Sequence, residues 1–307
     1  MIRMPLQSYG GPWLPLSPEE ARLQTKLRQN VEVLAGKIGD RNLITFTQLE
    51  AAAQFIETAL RQSGHKVNRQ GFEVHQKVCC NLEAEIRGSA RADEIVVIGA
   101  HYDSVLGCPG ANDNATGVAA LLYLAASFAT NRPARTVRFV AFVNEEPPYF
   151  QTEHMGSRVY AKRCRSRRDN IVAMLSLETV GYYTDEPRSQ QYPFPVGVFY
   201  PSRGNFVAFV GNTSSAKLVR ECVSIFRRAV PFPSEGAALM SILPGIGWSD
   251  HWAFWQEGYS ALMVTDTAPF RYKHYHTEND TPDKIAYDRM ARVVGGLQSV
   301  VSGLANP

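Results

Sequence analysis

The sequence predicts an α/β fold, a three-layer α/β/α sandwich around a mixed, mainly parallel central sheet. Two observations predict it. From residue 95 onward, short continuous apolar runs alternate with longer segments of helical period, the order that parallel strands need because each crossover takes a helix. The runs are apolar on both alternating faces, as strands must be when helices cover the sheet from both sides. With 307 residues, 45% hydrophobic and 20% charged, the chain has an ordinary globular composition and can bury a large core. We read one domain over residues 1–307, with a helical N-terminal arm over 1–45 and a loop-rich substrate rim over 182–248.

The elements follow in order. Ser17 caps a helix that Pro18 opens, with Glu19 and Glu20 at the positive end of its dipole, and the amphipathic stretch runs to about Gly36. Residues 47–63 read as a second helix. Residues 67–74 and 78–86 alternate and form an antiparallel pair around Gln76. Residues 95–98 are the first buried strand, and residues 117–128 are apolar on nearly every side, a buried helix. Residues 137–143, 171–177 and 259–264 are further buried strands, with helices at 156–162 and 287–304. Residues 182–247 hold many prolines, glycines and aromatics, including Tyr192-Pro193-Phe194-Pro195 and Pro231-Phe232-Pro233. They read as shaped loops beside a helix at 214–229.

Several classes are excluded. The 32 basic and 29 acidic residues are interspersed, so no nucleic-acid partner is expected from a net charge of +3. No apolar run approaches the roughly 20 residues that span a bilayer, and residues 1–16 lack the apolar core of a leader. We therefore expect no membrane association and a cytoplasmic location; nothing sets an oligomeric state. Cys79, Cys80, Cys108, Cys164 and Cys222 match no paired metal spacing, so reduced, buried thiols are expected. The basic stretch 158–168 reads as a solvated helix face.

Each buried strand runs into metal-capable side chains just past its carboxyl end: His101 and Asp103, then Glu145 and Glu146, then Glu178, then Asp266 with the His274 and His276 loop. Ligands of open α/β sheets bind outside those ends, so four strands delivering such groups to one edge point to one site. His101 and Asp103 are two apart and share a face of extended chain, which lets the carboxylate orient the imidazole. Asp113 lies on a tight loop, Gly110-Ala111-Asn112-Asp113-Asn114-Ala115-Thr116-Gly117, that opens the buried helix, where a carboxylate can bridge two cations. Glu145 and Glu146 point in opposite directions at a strand end. One can bind metal while the other faces substrate as general base.

In this order His-x-Asp-Ser, Asn-Asp-Asn-x-x-Gly, Asn-Glu-Glu, Ser-Asp-His and Tyr-His-Thr resemble the motifs of the co-catalytic zinc aminopeptidases of bacterial aminopeptidase S type, over residues 94–305. The resemblance implies two zinc ions per chain, one held by His101, Glu178 and bridging Asp113, the other by Asp113, Glu146 and His276. It also implies Glu145 as general base, Tyr275 as donor to the tetrahedral oxyanion, and a cis peptide between Asp113 and Asn114. Those enzymes usually have aspartate where Glu178 stands. Asp250 and His251, in Trp248-Ser249-Asp250-His251-Trp252, read as packing and orienting residues, and His65, His75, His154 and His274 as surface or structural.

Imidazole and carboxylate donors suit zinc, with cobalt or manganese as substitutes. The expected reaction is release of the N-terminal residue from a peptide with a free amino terminus. Related scaffolds also host single-zinc glutaminyl cyclases, carboxypeptidases, amino-sugar hydrolases and non-catalytic binding proteins. The intact loop at 112–117 favours the two-metal peptidase over the cyclase, and the complete ligand set favours an enzyme.

Overall fold

The computed structural model describes residues 4–194 and 196–307; residues 1–3, and Pro195 of the expected Tyr192–Pro195 loop, lie outside them. The strands are β1 (Val67–Val74), β2 (Lys77–Ile86), β3 (Arg91–His101), β4 (Arg135–Phe142), β5 (Asn170–Glu178), β6 (Val207–Asn212), β7 (Ser234–Leu239) and β8 (Ala261–Thr265). They form one eight-stranded sheet of order β1-β2-β4-β3-β5-β8-β6-β7. Its centre, β4-β3-β5-β8, is parallel. β1 and β2 lie antiparallel at one edge, and β6 runs antiparallel to β8 and parallel to β7 at the other.

The helices are α1 (Pro18–Val31), α2 (Phe46–Gln62), α3 (Thr116–Phe128), α4 (Gly156–Ser166), α5 (Ala216–Ala229), α6 (His251–Gln256) and α7 (Tyr287–Ala305). α1 begins as expected: Ser17 Oγ accepts the Glu20 N–H at 3.2 Å while the Glu20 carboxylate accepts the Ser17 N–H at 2.7 Å. It then passes into a π-helical stretch, Glu32–Ile38.

Strand periodicity distributes the core. In β3, Val96, Ile98 and Ala100 face the larger apolar cluster, shared with α1, α2, α3, α5 and α7, while Ile95 and Val97 face a smaller one shared with α4 and α6. The sandwich therefore has helices on both faces. The five cysteines are free and buried, as expected. Among the described residues, no helix is long and apolar enough to cross a membrane.

The segment read as loops holds more order than expected, for β6 and β7 both lie in it. β6 is a short apolar run crowded by prolines and glycines. β7, Ser234-Glu235-Gly236-Ala237-Ala238-Leu239, is built of small residues with weak strand preference. Parallel pairing with β6 holds it instead, and Met4 of the N-terminal segment packs closely on it: a Cβ on Gly236 would lie 2.6 Å from Met4 Sδ.

Candidate active site

Because β4, β3, β5 and β8 are adjacent and parallel, their carboxyl ends lie side by side. The chain leaves three of these ends through left-handed backbone, at Asn144 (φ 58°), Thr179 (φ 47°) and Thr267 (φ 61°), and His276 adopts it too (φ 58°). Non-glycine residues hold that conformation where the surrounding structure enforces it. His101, Glu145, Glu146 and Glu178 gather at this edge, and the loops carrying Asp113 and His276 close over it.

His101 Nε2 lies 3.2 Å from Asp113 Oδ1 and 3.3 Å from Glu178 Oε2. His276 Nε2 lies 3.0 Å from Asp113 Oδ2 and 3.2 Å from Glu146 Oε2. Asp113 thus turns one oxygen toward each imidazole. In each trio, His101–Asp113–Glu178 and Asp113–Glu146–His276, one donor atom per residue lies within 4.8 Å of the others, close enough for one cation. Among the described residues, His101 Nε2, Asp113 Oδ1 and Glu146 Oε1 are buried without a hydrogen-bond partner. Buried polar atoms ordinarily find partners, so unpartnered atoms on His101, Asp113 and Glu146, residues of the two trios, fit a metal site.

The electrostatics agree. Burial pushes the Glu145 carboxyl well above the usual range, with His101 pulling the other way. Burial also raises Glu178 and lifts Glu146 to about 7. It acts on Asp113 as well, but the imidazoles of His101 and His276 beside it outweigh it and hold that carboxyl low. Burial lowers His276, yet its bonds to Asp113 and Glu146 prevail and lift it to about 10. So much buried carboxylate beside two imidazoles is stabilised by added positive charge.

Glu145 stands outside both trios, its Oε2 3.9 Å from His101 Nε2. Asp103 holds the paired glutamates: its Oδ1 accepts the Glu145 N–H at 3.1 Å and its Oδ2 the Glu146 N–H at 3.0 Å. Its hold on the imidazole is looser than the two-residue spacing suggests. His101 Nδ1 is 3.6 Å from Asp103 Oδ1 and 3.2 Å from the Asp103 backbone oxygen. The Tyr275 ring stacks on the His276 imidazole, centroids 3.8 Å apart.

The Asp113–Asn114 peptide is cis, as expected. Asp280, which the sequence reading did not single out, grips this loop, accepting the Asn112 N–H at 2.8 Å and the Asp113 N–H at 3.0 Å. Asp266 serves the same loop, accepting from Asn112 Nδ2 at 2.9 Å and the Tyr182 N–H at 2.7 Å. Ser249, in the Ser-Asp-His segment, donates to Glu178 Oε2 at 2.7 Å. Asp250 and His251 are fully buried and belong to neither trio. His65 bonds the Ala125 carbonyl oxygen at 2.8 Å, a structural contact. Beside Glu178 and Tyr275 opens an apolar pocket, its walls including Tyr192, Phe206, Met263 and Trp248.

The model of peptidase family M28 matches residues 81–300. The uncharacterized protein YfbL of Escherichia coli (strain K12) is 35% identical over 306 residues, covering 96% of this chain and 93% of its own length. A probable zinc metalloprotease of Pyricularia oryzae is 30% identical over 257 residues, 74% of this chain; the chain spans only 50% of that longer relative. Among solved structures, BSAP, a zinc aminopeptidase from Bacillus subtilis, superposes with a TM-score of 0.75 over 92% of this chain and 95% of that one, at 15% identity. Fimbriiglobus ruber glutaminyl cyclase superposes with a TM-score of 0.68 over 95% and 97%, at 21% identity. These two likenesses speak for the fold. The family match over most of the length and the near full-length relative at 35% identity place the chain in peptidase family M28.

Proposed function

We propose that this chain is a zinc aminopeptidase that releases the N-terminal residue of a peptide at a two-zinc centre. The observation that carries the reading is the divided carboxylate of Asp113, which faces His101 with one oxygen and His276 with the other. Family membership and the names of the relatives support it. His101, Asp113 and Glu178 would hold one ion; Asp113, Glu146 and His276 would hold the other, with cobalt or manganese as substitutes. Bound zinc supplies Lewis acidity, polarising the scissile carbonyl and acidifying the attacking water.

The remaining work falls to side chains of the chain itself. Glu145, buried and beside the trios, takes the proton from the attacking water and passes it to the leaving amine as the C–N bond breaks. Asp103 holds Glu145 and Glu146 apart through their backbone N–H groups. Tyr275 donates from its hydroxyl to the oxyanion. The cavity walled by residues of the 182–248 rim receives the first side chain of the peptide. Glu145→Gln tests this directly. The variant should fold and bind zinc as the parent does while losing about 10²- to 10⁴-fold in hydrolysis of an aminoacyl amide. Undiminished turnover would remove Glu145 as the base.

A further inference from the structure

We propose that Arg41, delivered by the N-terminal arm, is a positioning residue for the loop between His101 and Asp113, so that the arm forms part of the metal scaffold. The inference rests on the metal-holding trios proposed above. Arg41 is 0% exposed. It donates from Nε to the Tyr102 carbonyl at 2.9 Å, from Nη1 to those of Leu34 at 3.0 Å, Gly39 at 2.8 Å and Pro109 at 2.5 Å, and from Nη2 to that of Gly110 at 3.1 Å. Leu34 lies within the arm's π-helical stretch and Gly39 is the residue that caps it. Tyr102, Pro109 and Gly110 belong to the loop.

Buried arginines ordinarily face a carboxylate. Among the described residues no carboxylate forms an ion pair with this guanidinium, which serves backbone oxygens instead. A rigid fork of N–H groups can reach so many carbonyls at once, and an ammonium on a flexible stem cannot. Its neighbours continue the grip. The Ser104 N–H donates to the Arg41 carbonyl at 2.8 Å, and the Arg41 N–H donates to Ser104 Oγ at 3.0 Å. Asp40 accepts the Gly107 N–H at 3.0 Å. A Cβ on Gly110 would lie 3.0 Å from Arg41 Nη2, so the guanidinium is packed tightly against the turn that leads to Asp113. Both ends of this loop carry proposed ligands, and metal sites require their ligands held within about 0.5 Å.

Zinc affinity, measured by competition with a chromogenic chelator, tests the inference in Arg41→Lys, which keeps the charge and loses the fork. Arg292→Lys is the control, since Arg292 ties the same arm to α7 through the Leu14 carbonyl without touching the loop. Arg41→Lys should fold by circular dichroism, bind zinc about 10- to 100-fold more weakly, and recover activity as free zinc is raised, while Arg292→Lys binds as the parent does. Unchanged affinity in Arg41→Lys overturns the inference. Equal weakening in both variants overturns it too, by assigning the effect to docking of the whole arm. Should Arg41→Lys fail to fold, Ser104→Ala carries the same measurement, because it removes the hydroxyl linking the Arg41 N–H to the Cys108 carbonyl. Weaker zinc binding then supports the inference and unchanged binding overturns it. A parent protein that binds no zinc overturns the metal reading itself, and this inference with it.

Discussion

Asp103→Asn isolates the carboxylate beneath the two glutamates. Asp103 is 2% exposed, and its oxygens accept the Glu145 N–H at 3.1 Å and the Glu146 N–H at 3.0 Å. An amide has one acceptor oxygen. Whichever way it turns, one backbone N–H then faces an NH2 group, and two buried donors are left without partners. Each such donor costs about 1–3 kcal/mol, so the loss should be about 2–6 kcal/mol against a total stability of about 5–15 kcal/mol. The segment past β4 that carries Glu145 and Glu146 loses this anchor, and outer partners of this kind typically contribute about 10- to 100-fold to affinity or activity. Urea unfolding in chelator, where metal binding does not enter, measures the first effect; kcat/KM on an aminoacyl amide at saturating zinc measures the second. A variant within about 0.5 kcal/mol of the parent, with kcat/KM unchanged, would refute the reasoning.

Two more expectations follow from the site's surroundings. Gly117→Ala places a Cβ 2.3 Å from Asn114 Oδ1 and 2.4 Å from the Leu177 carbonyl oxygen, so α3 must shift from β5. Overpacking of about 1–3 kcal/mol should lower the melting temperature, and an unchanged melting curve would contradict this. Burial holds the His251 imidazole down at about 4, its Nε2–H given to the Ile246 carbonyl at 2.7 Å. The unfolded chain takes up this proton from about pH 6.5 downward and the folded chain only near 4, so stability is intact above 6.5 and falls through that window. The loss should reach about 2 kcal/mol at pH 5. His251→Gln should fall less steeply between pH 7 and 5; parallel curves for parent and variant would count against the assignment.

How much of this was legible in the sequence depended on which forces choose each element. β3 and β4 announce themselves because strands buried on both faces are apolar throughout, and polar residues just past such strands stand out. That is how His101, Glu145 and Glu146 stand out, and Glu178 does so in the same way at the end of β5. The meeting of His101 with His276 follows from no local pattern; it came from strand ends and from motif resemblance together. β7 was missed because small residues carry little strand signal and the packing of Met4 onto Gly236 is a contact distant in sequence. Asp280 and Arg41 were missed for a related reason. Both act on backbone groups, of Asn112 and Asp113 and of Tyr102 and Gly110, and a backbone partner leaves no trace in residue type.

The central claim is that one carboxylate serves two cations, and anomalous diffraction at the zinc edge from crystals of the zinc-loaded protein addresses it most directly. Two peaks should appear, one on each side of Asp113, the first within ligand distance of His101 and Glu178 and the second of Glu146 and His276. A single peak at full zinc loading, or peaks remote from Asp113, would contradict the two-metal account.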